Sequence, residues 1–505
     1  MSGETIGARA APPRLRAHRL LLWSCVLLCA CAATPSGRQQ RQEEPAAAPE
    51  ETRAQTPKPF PSTYEAPSAP PTLIRNATVL TGTGERIDGG DVLIVDGKIA
   101  EVGAEVSAPE GARVIDAQGR WVTPGLIDVH SHLGVYPSPS VNAHSDGNEV
   151  TDPVTAGVWA EHGVWPQDPG FQTALEGGVT TLQILPGSAN LIGGRGVTLK
   201  NVPARTVQEM KFPDAPHGLK MACGENPKRV YGGMMRAPMT RMGNVAGYRQ
   251  AFADAQNYRE QWLKYERDLA EYEKKKNSKD EKEREDAKPP VPPKRDLKLE
   301  TLVGALEGDI KVHIHCYRAD EMAAMIDLSK EFGFRISAFH HAVEAYKIAD
   351  LLAANGICGA EWADWWGFKM EAFDGIQENL VLTDRPRNGC AIVHSDSEEG
   401  IQRLNQEAAK AMARGERVGL HIPPERAIRW LTANPAKALG IDSQTGTLEP
   451  GKMADVVIWN GTPFSVYALA EQVFIDGALV YDRAHPSPKP RSDFMLGQPG
   501  AGVEP

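Results

Sequence analysis

Two histidines one residue apart, His130 and His132, close the run Trp121-Val122-Thr123-Pro124-Gly125-Leu126-Ile127-Asp128-Val129-His130-Ser131-His132. Imidazole nitrogen is a common ligand for zinc and similar divalent ions, so the chemistry this pair offers is metal binding. An isolated His-x-His fits two surface histidines in a loop equally well. The flanking residues separate the two readings. Pro124-Gly125 punctuates a loop. The apolar run after it is too short for a helix and reads as a buried strand. Side chains two apart on a strand point to the same side, so the two imidazoles stand together at a strand end.

This stretch resembles the first metal motif of the amidohydrolase superfamily, metal-dependent hydrolases built on a (β/α)8 barrel, in its imidazolonepropionase/prolidase-like branch. The resemblance extends over most of residues 72–484. It implies a binuclear site of four histidines, one bridging carboxylate and one aspartate, all at strand ends on the C-terminal face of the barrel. Carried over position by position, it assigns His130 and His132, His315 at the end of Val312-His313-Ile314-His315, His341 in His341-Ala342-Val343-Glu344, and Asp396 in His394-Ser395-Asp396-Ser397. Taken singly, a strand-end Asp is more often a helix cap, and a lone His a structural group. Five such residues in order, each after an apolar strand, make a stronger pattern.

The bridging group has two candidates. Lys220 in Gly218-Leu219-Lys220-Met221 resembles the strand lysine that becomes carboxylated in many of these enzymes, a change that turns a cation into a bidentate anion. Glu225 in Gly224-Glu225-Asn226-Pro227 is its rival. The resemblance implies two divalent metals, zinc first among them, with other divalent ions open. Such a pair makes hydroxide available near neutral pH for attack on a carbonyl carbon. In this scheme Asp396 takes the proton and passes it to the leaving amine. The expected substrate is a small molecule with an amide, lactam or dipeptide-like C–N bond.

Neighbouring residues leave alternatives. His313 points the same way as His315, one pleat deeper. His340 faces opposite to His341 and reads as a packing residue. His394 either contacts substrate or fills the barrel. Arg318 stands where the deaminase branch would have the Glu of His-x-x-Glu, which argues against deamination and against imidazolone-ring hydrolysis of that type. Arg195 and Lys200 read first as solvent-facing charge and second as binders of an anionic group. Two further readings remain: a mononuclear amidohydrolase lacking a bridging carboxylate, and an inactive binding protein on the same scaffold. A full set of ligands argues against the last.

The elements that position these residues follow from patterning. Apolar strand-like runs at 178–185, 218–223, 312–315, 335–341 and 390–396 alternate with helical stretches, which argues for parallel βα units and an α/β barrel over 122–439. Its last helix is expected over 424–439. Short β runs with turns occupy 72–121 and 440–484, and Asp96-Gly97 is a hairpin signal. By the resemblance these two ends pair into one small β-sandwich. A helical and charged insertion covers 248–300: Tyr248, Phe252, Tyr258, Trp262, Tyr265, Leu269 and Tyr272 suit one helix face, followed by a charge run over 274–286 and Pro289-Pro290-Val291-Pro292-Pro293.

The N-terminus is a different kind of sequence. Arg9, Arg14, Arg16 and Arg19 precede the apolar run 20–28, and Leu28-Cys29-Ala30-Cys31 resembles a bacterial lipobox with Cys31 as the lipidated residue. Residues 1–31 therefore read as a signal peptide of lipoprotein type, with ordinary cleavage after a small residue as the alternative. Residues 32–71, rich in Pro, Ala, Glu, Gln and Thr, read as a disordered tether, and 485–505 as a flexible tail. The expected location is outside the cytoplasm, as a membrane-anchored lipoprotein or a periplasmic or extracellular enzyme, touching membrane only through that anchor. A net charge of -10 points away from nucleic acid. A homo-oligomer is compatible with the sequence. Cys223, Cys316, Cys358 and Cys390 show no paired spacing and read as buried free thiols.

Overall fold

The computed structural model describes residues 60–138, 140–365 and 367–486. Two sheets of eight strands carry the architecture. The first takes strands from both ends of the chain: β1 (Thr72–Leu80), β2 (Arg86–Val95), β3 (Lys98–Gly103), β4 (Arg113–Asp116) and β5 (Trp121–Pro124), then β14 (Val456–Trp459), β15 (Ala470–Ile475) and β16 (Ala478–Asp482). The second, between them in sequence, is β6 (Leu126–Ser131), β7 (Val179–Ile184), β8 (Ile192–Lys200), β9 (Gly218–Ala222), β10 (Lys311–His315), β11 (Ile336–His340), β12 (Cys358–Glu361) and β13 (Ala391–Val393).

The second sheet is a TIM-type barrel in which each strand neighbours the next in sequence. Its two edges meet at β6 and β13, where the Asp396 N–H donates to the His130 carbonyl at 3.0 Å. One strand departs from the parallel pattern: β8 runs antiparallel to both β7 and β9. The cause is loop length. Only residues 185–191 join β7 to β8, and a parallel partner needs a crossover of a dozen residues or more. β12, built on Cys-Gly-Ala-Glu, lacks the β-branched residues that mark a strand.

The ends of the chain meet as expected. β5 pairs antiparallel with β14, Trp121 opposite Trp459 and Pro124 opposite Val456. Ile74, Val79, Val92, Val122, Val456 and Phe474 pack into one apolar cluster fed by both ends. The strands bond into one sheet that branches at β1, where β4 joins off the main path. Asp96 and Gly97, at φ 50° and 74°, make the tight turn between β2 and β3, and both angles suit a type I′ hairpin.

Several expectations need correction. The tether does not run free to residue 71. Phe60 and Ser62 bond to Lys211 and Thr63 to Gln208, and the Tyr64 hydroxyl donates to Asp476 at 2.5 Å. The insertion helix, α3 (Arg241–Lys276), starts seven residues early because the Thr240 hydroxyl caps it by accepting from Gly243 N–H. Its stripe is buried only through Tyr258, and the charge run holds a further helical turn at Glu281–Glu285. The last barrel helix breaks into Pro424–Ala427, a 3₁₀ turn and Ala433–Leu439. The four cysteines are not free. Cys223–Cys316 and Cys358–Cys390 form disulfides, with Cα atoms 5.2 and 4.5 Å apart. Each pair lies on or directly beside the ends of neighbouring strands, a closeness created by the barrel and invisible at separations of 93 and 32 residues.

The signal peptide, Cys31 and nearly all of the tail lie outside the described residues. Among the described residues no helix is long and apolar enough to cross a membrane.

Candidate metal centre

The C-terminal ends of the barrel strands bring five polar side chains to one point. The Nε2 atoms of His130 and His132 are 3.3 Å apart. Lys220 Nζ lies 3.3 Å from His130 Nε2. Asp396 Oδ1 lies 3.4 Å from His130 Nε2 and 3.1 Å from His132 Nε2, and Oδ2 lies 3.6 Å from His341 Nε2. β6 carries His130, the residue after that strand is His132, β9 carries the lysine, and the turns after β11 and β13 carry His341 and Asp396.

Those turns are conformationally unusual. His341 and Asp396 both hold left-handed backbone, at φ 57° and 49°. Non-glycine residues rarely adopt it, and it persists only where surrounding contacts enforce it. At His341 it has a direct consequence. Alternation along β11 places His340 and His341 on opposite sides, and the left-handed turn lets both rings enter the barrel. The packing assignment for His340 is therefore corrected. Its Nδ1 lies 3.0 Å from His130 Nδ1, and its Nε2 lies 2.9 Å from His313 Nδ1.

His132 and His341 are oriented from behind, as metal-binding imidazoles generally are. His132 Nδ1–H donates to the Leu185 carbonyl at 2.8 Å, and its Nε2 faces Asp396 Oδ1 at 3.1 Å. His341 does the same with His394, Nδ1 to Nε2 at 2.8 Å. The backbone N–H of His341 also donates to His394 Nε2 at 3.2 Å, so that atom is an acceptor and the His394 proton sits on Nδ1. Asp128 fixes the seam. Its Oδ1 accepts from the N–H groups of His130 at 3.1 Å and Ser395 at 3.2 Å, and its Oδ2 accepts from the Ser395 hydroxyl. Burial raises the Asp128 carboxyl to about 7 against these bonds.

The electrostatics suit a cation. Burial, followed by the nearby Lys220 and other imidazoles, keeps His130 and His341 well below the ordinary histidine range, and burial lowers His313 to about 3 and His394 to about 4. Neutral imidazole is the form that ligates. Burial brings Lys220 down to about 7. Burial alone would raise Asp396, but the hydrogen bond and charge of His132, with Lys220, outweigh it and leave the carboxyl below its usual range. Asp396 is therefore held as an anion. Ligand atoms of His130, His341 and Asp396 lie within 4.8 Å of one another, as do those of His130, His340 and His394. His315 Nδ1 is buried without a hydrogen-bond partner. This donor set fits divalent metal.

The other sequence candidates fall as follows. The His315 ring lies 4.7 Å from the His341 ring, and its Nε2 is 3.4 Å from the Asn226 amide. Glu225 begins the helix α2 (Glu225–Gly233) and faces Lys369 Nζ at 3.7 Å. Arg318 pairs with Asp320 at 2.8 Å. Arg195 and Lys200 are not solvent-facing charge, because both lie on β8. Arg195 donates to Thr301 Oγ1 at 2.8 Å, and Lys200 is buried between Asp455 and Asp476, each at 3.0 Å, tying the barrel to the β domain. Asp128, Ser395, Tyr317 and Trp362 were not anticipated. Asp128 was within reach of the alternation rule, since it stands two residues before His130.

The sequence profile of the Amidohydrolase family matches residues 380–483. The chain is 35% identical over 450 residues to "Amidohydrolase tasK" of Hapsidospora irregularis, covering 82% of this chain and 43% of that protein, so it spans less than half the length of that relative. Over 61 residues it is 52% identical to a dihydroorotase of Pelotomaculum thermopropionicum, 12% of this chain and 14% of that one. Among solved structures, an amidohydrolase from Thermotoga maritima superposes with a TM-score of 0.70 at 36% identity, covering 82% of this chain and all of that one.

Proposed function

The chain belongs to the amidohydrolase superfamily, and from that premise we propose that it hydrolyses a C–N bond of a small amide, lactam or dipeptide-like substrate at a binuclear metal centre. The ligands in this reading are His130, His132, His315, His341, Asp396 and a carboxylated Lys220. Divalent ions held there, zinc in the first instance, would make hydroxide available near neutral pH and polarise the substrate carbonyl. The observation that carries the reading is the Asp396 carboxylate, held within 3.1 to 3.6 Å of the Nε2 atoms of three oriented histidines.

The residues supply the proton path. Asp396 is ionised at neutral pH and accepts the proton of the attacking water. As the C–N bond breaks, it returns that proton to the leaving nitrogen, so the products are a carboxylate and an amine. Lys220 has to change its charge before it can serve as a bridge. Burial brings its pKa down to about 7, which makes the neutral amine accessible near neutral pH. That amine adds to carbon dioxide: an N–C bond forms, a proton leaves, and the product is an anionic carbamate. Glu225 is a poorer bridge because it is already opposite Lys369. Purified enzyme assayed on a panel of dipeptides and N-acyl amino acids tests the reaction. Turnover that a chelator abolishes and added zinc restores is the expected result, and turnover indifferent to chelation overturns it.

The location is part of the same proposal. The basic start, the apolar run and Cys31 support export with a lipid anchor. Labelled fatty acid should enter the wild-type protein and not Cys31→Ala. Equal labelling of both removes the anchor and leaves plain secretion.

A further inference from the structure

A continuous run of aromatic rings leads from the metal centre to water. Trp362, directly after β12, donates its indole N–H to the Ser395 carbonyl at 3.0 Å. Its ring stacks on His341, with centroids 4.5 Å apart and planes at 22°. Trp365 stacks on Trp362 in turn, at 5.2 Å and 20°. Phe368 meets Trp362 edge-on at 6.0 Å and Tyr317 at 6.1 Å. Trp362 and Tyr317 are buried, whereas Trp365 is 40% and Phe368 58% exposed.

Single exposed aromatics are ordinary on protein surfaces. These two differ because buried rings connect them, contact by contact, to the imidazole of a ligand candidate. They also sit on a loop at the C-terminal end of a barrel strand, where substrate-contacting residues of this architecture gather. The charge nearby is already engaged: Lys369 Nζ lies 4.0 Å over the Tyr317 ring and 3.7 Å from both Glu225 and Glu371. The wall therefore offers ring faces and edges, and its cation is shared between two carboxylates.

We propose that Trp365 and Phe368 form the specificity surface for an aromatic or bulky apolar group of the substrate, next to the bond that is cleaved. The inference rests on the hydrolase reading for the identity of that bond. The binding surface itself can be tested without turnover.

The test is calorimetric binding of N-acetylphenylalanine and N-acetylalanine to the zinc-loaded full chain, with hydrolysis followed separately. Wild type should bind the phenylalanine compound about tenfold more tightly, the scale of one well-placed aromatic contact. In Trp365→Ala/Phe368→Ala that preference should collapse while affinity for the alanine compound is retained. If the double variant does not fold, Trp365→Leu serves the same comparison. Equal affinities in wild type overturn the proposal, and so does an unchanged preference in the variant. A variant that alters only the oligomeric state also overturns it, because the surface is then an interface. Binding preference with no turnover of either compound leaves this surface standing and counts against the hydrolase reading.

Discussion

The carboxylate of Asp396 spans two ligand candidates from different strands, with Oδ1 3.1 Å from His132 Nε2 and Oδ2 3.6 Å from His341 Nε2. His132 follows β6 and His341 follows β11, so one side chain of the β13 turn closes the centre across the barrel mouth. In the proposed reaction its charge matters twice, as a ligand and as the group that carries the proton.

Asp396→Asn keeps the shape and removes both roles. Turnover should drop at least ~10²-fold, the usual cost of losing a general acid–base. The fold should persist, because the seam between β6 and β13 is also held by Asp128 and Ser395. Circular dichroism checks the fold, and steady-state kinetics check the rate. A folded variant with near-normal kcat would show that the proton travels by another route.

A second prediction concerns pH and a group outside the site. Glu361 lies on β12 with both carboxyl oxygens buried without a hydrogen-bond partner, and burial holds its carboxyl well above the ordinary glutamate range. A raised folded-state pKa means that the folded chain binds the proton more tightly than the unfolded chain. Below about 4.5 both states are protonated and the preference is fully present. As pH rises toward the folded pKa the unfolded state ionises alone, so this residue lowers stability with increasing pH. Glu361→Gln should therefore raise the denaturation midpoint at pH 7 to 8 and make little difference near pH 4. An equal shift at both pH values would show that the carboxyl is not the cause.

The sequence showed much of this centre because strand alternation and strand ends are local properties. His130, His132 and Asp396 stand at ends of apolar runs, and the structure brings them within hydrogen-bond distance of one another. The pairing of β5 with β14 was accessible only through resemblance, since no local pattern links Trp121 to Trp459. What stayed hidden depends on distant parts of the chain. The inward turn of His341 alongside His340 needs a left-handed residue that alternation does not anticipate. β8 was missed because a short loop reverses its direction, and its Lys200 finds two carboxylates more than 250 residues away. The disulfides required knowing that β9 adjoins β10 and that β12 adjoins β13.

The central claim is that Lys220, buried 3.3 Å from His130, becomes an anion and joins two metals. The most direct measurement combines metal analysis with carbon-13 NMR of protein equilibrated in labelled bicarbonate. The account expects about two metals per chain and a carbamate signal in wild type and in Glu225→Gln. Lys220→Ala should lack that signal and at least one metal. If Glu225→Gln empties the site while Lys220→Ala keeps its full metal complement and no carbamate signal is found, the bridge is the glutamate and the account is contradicted.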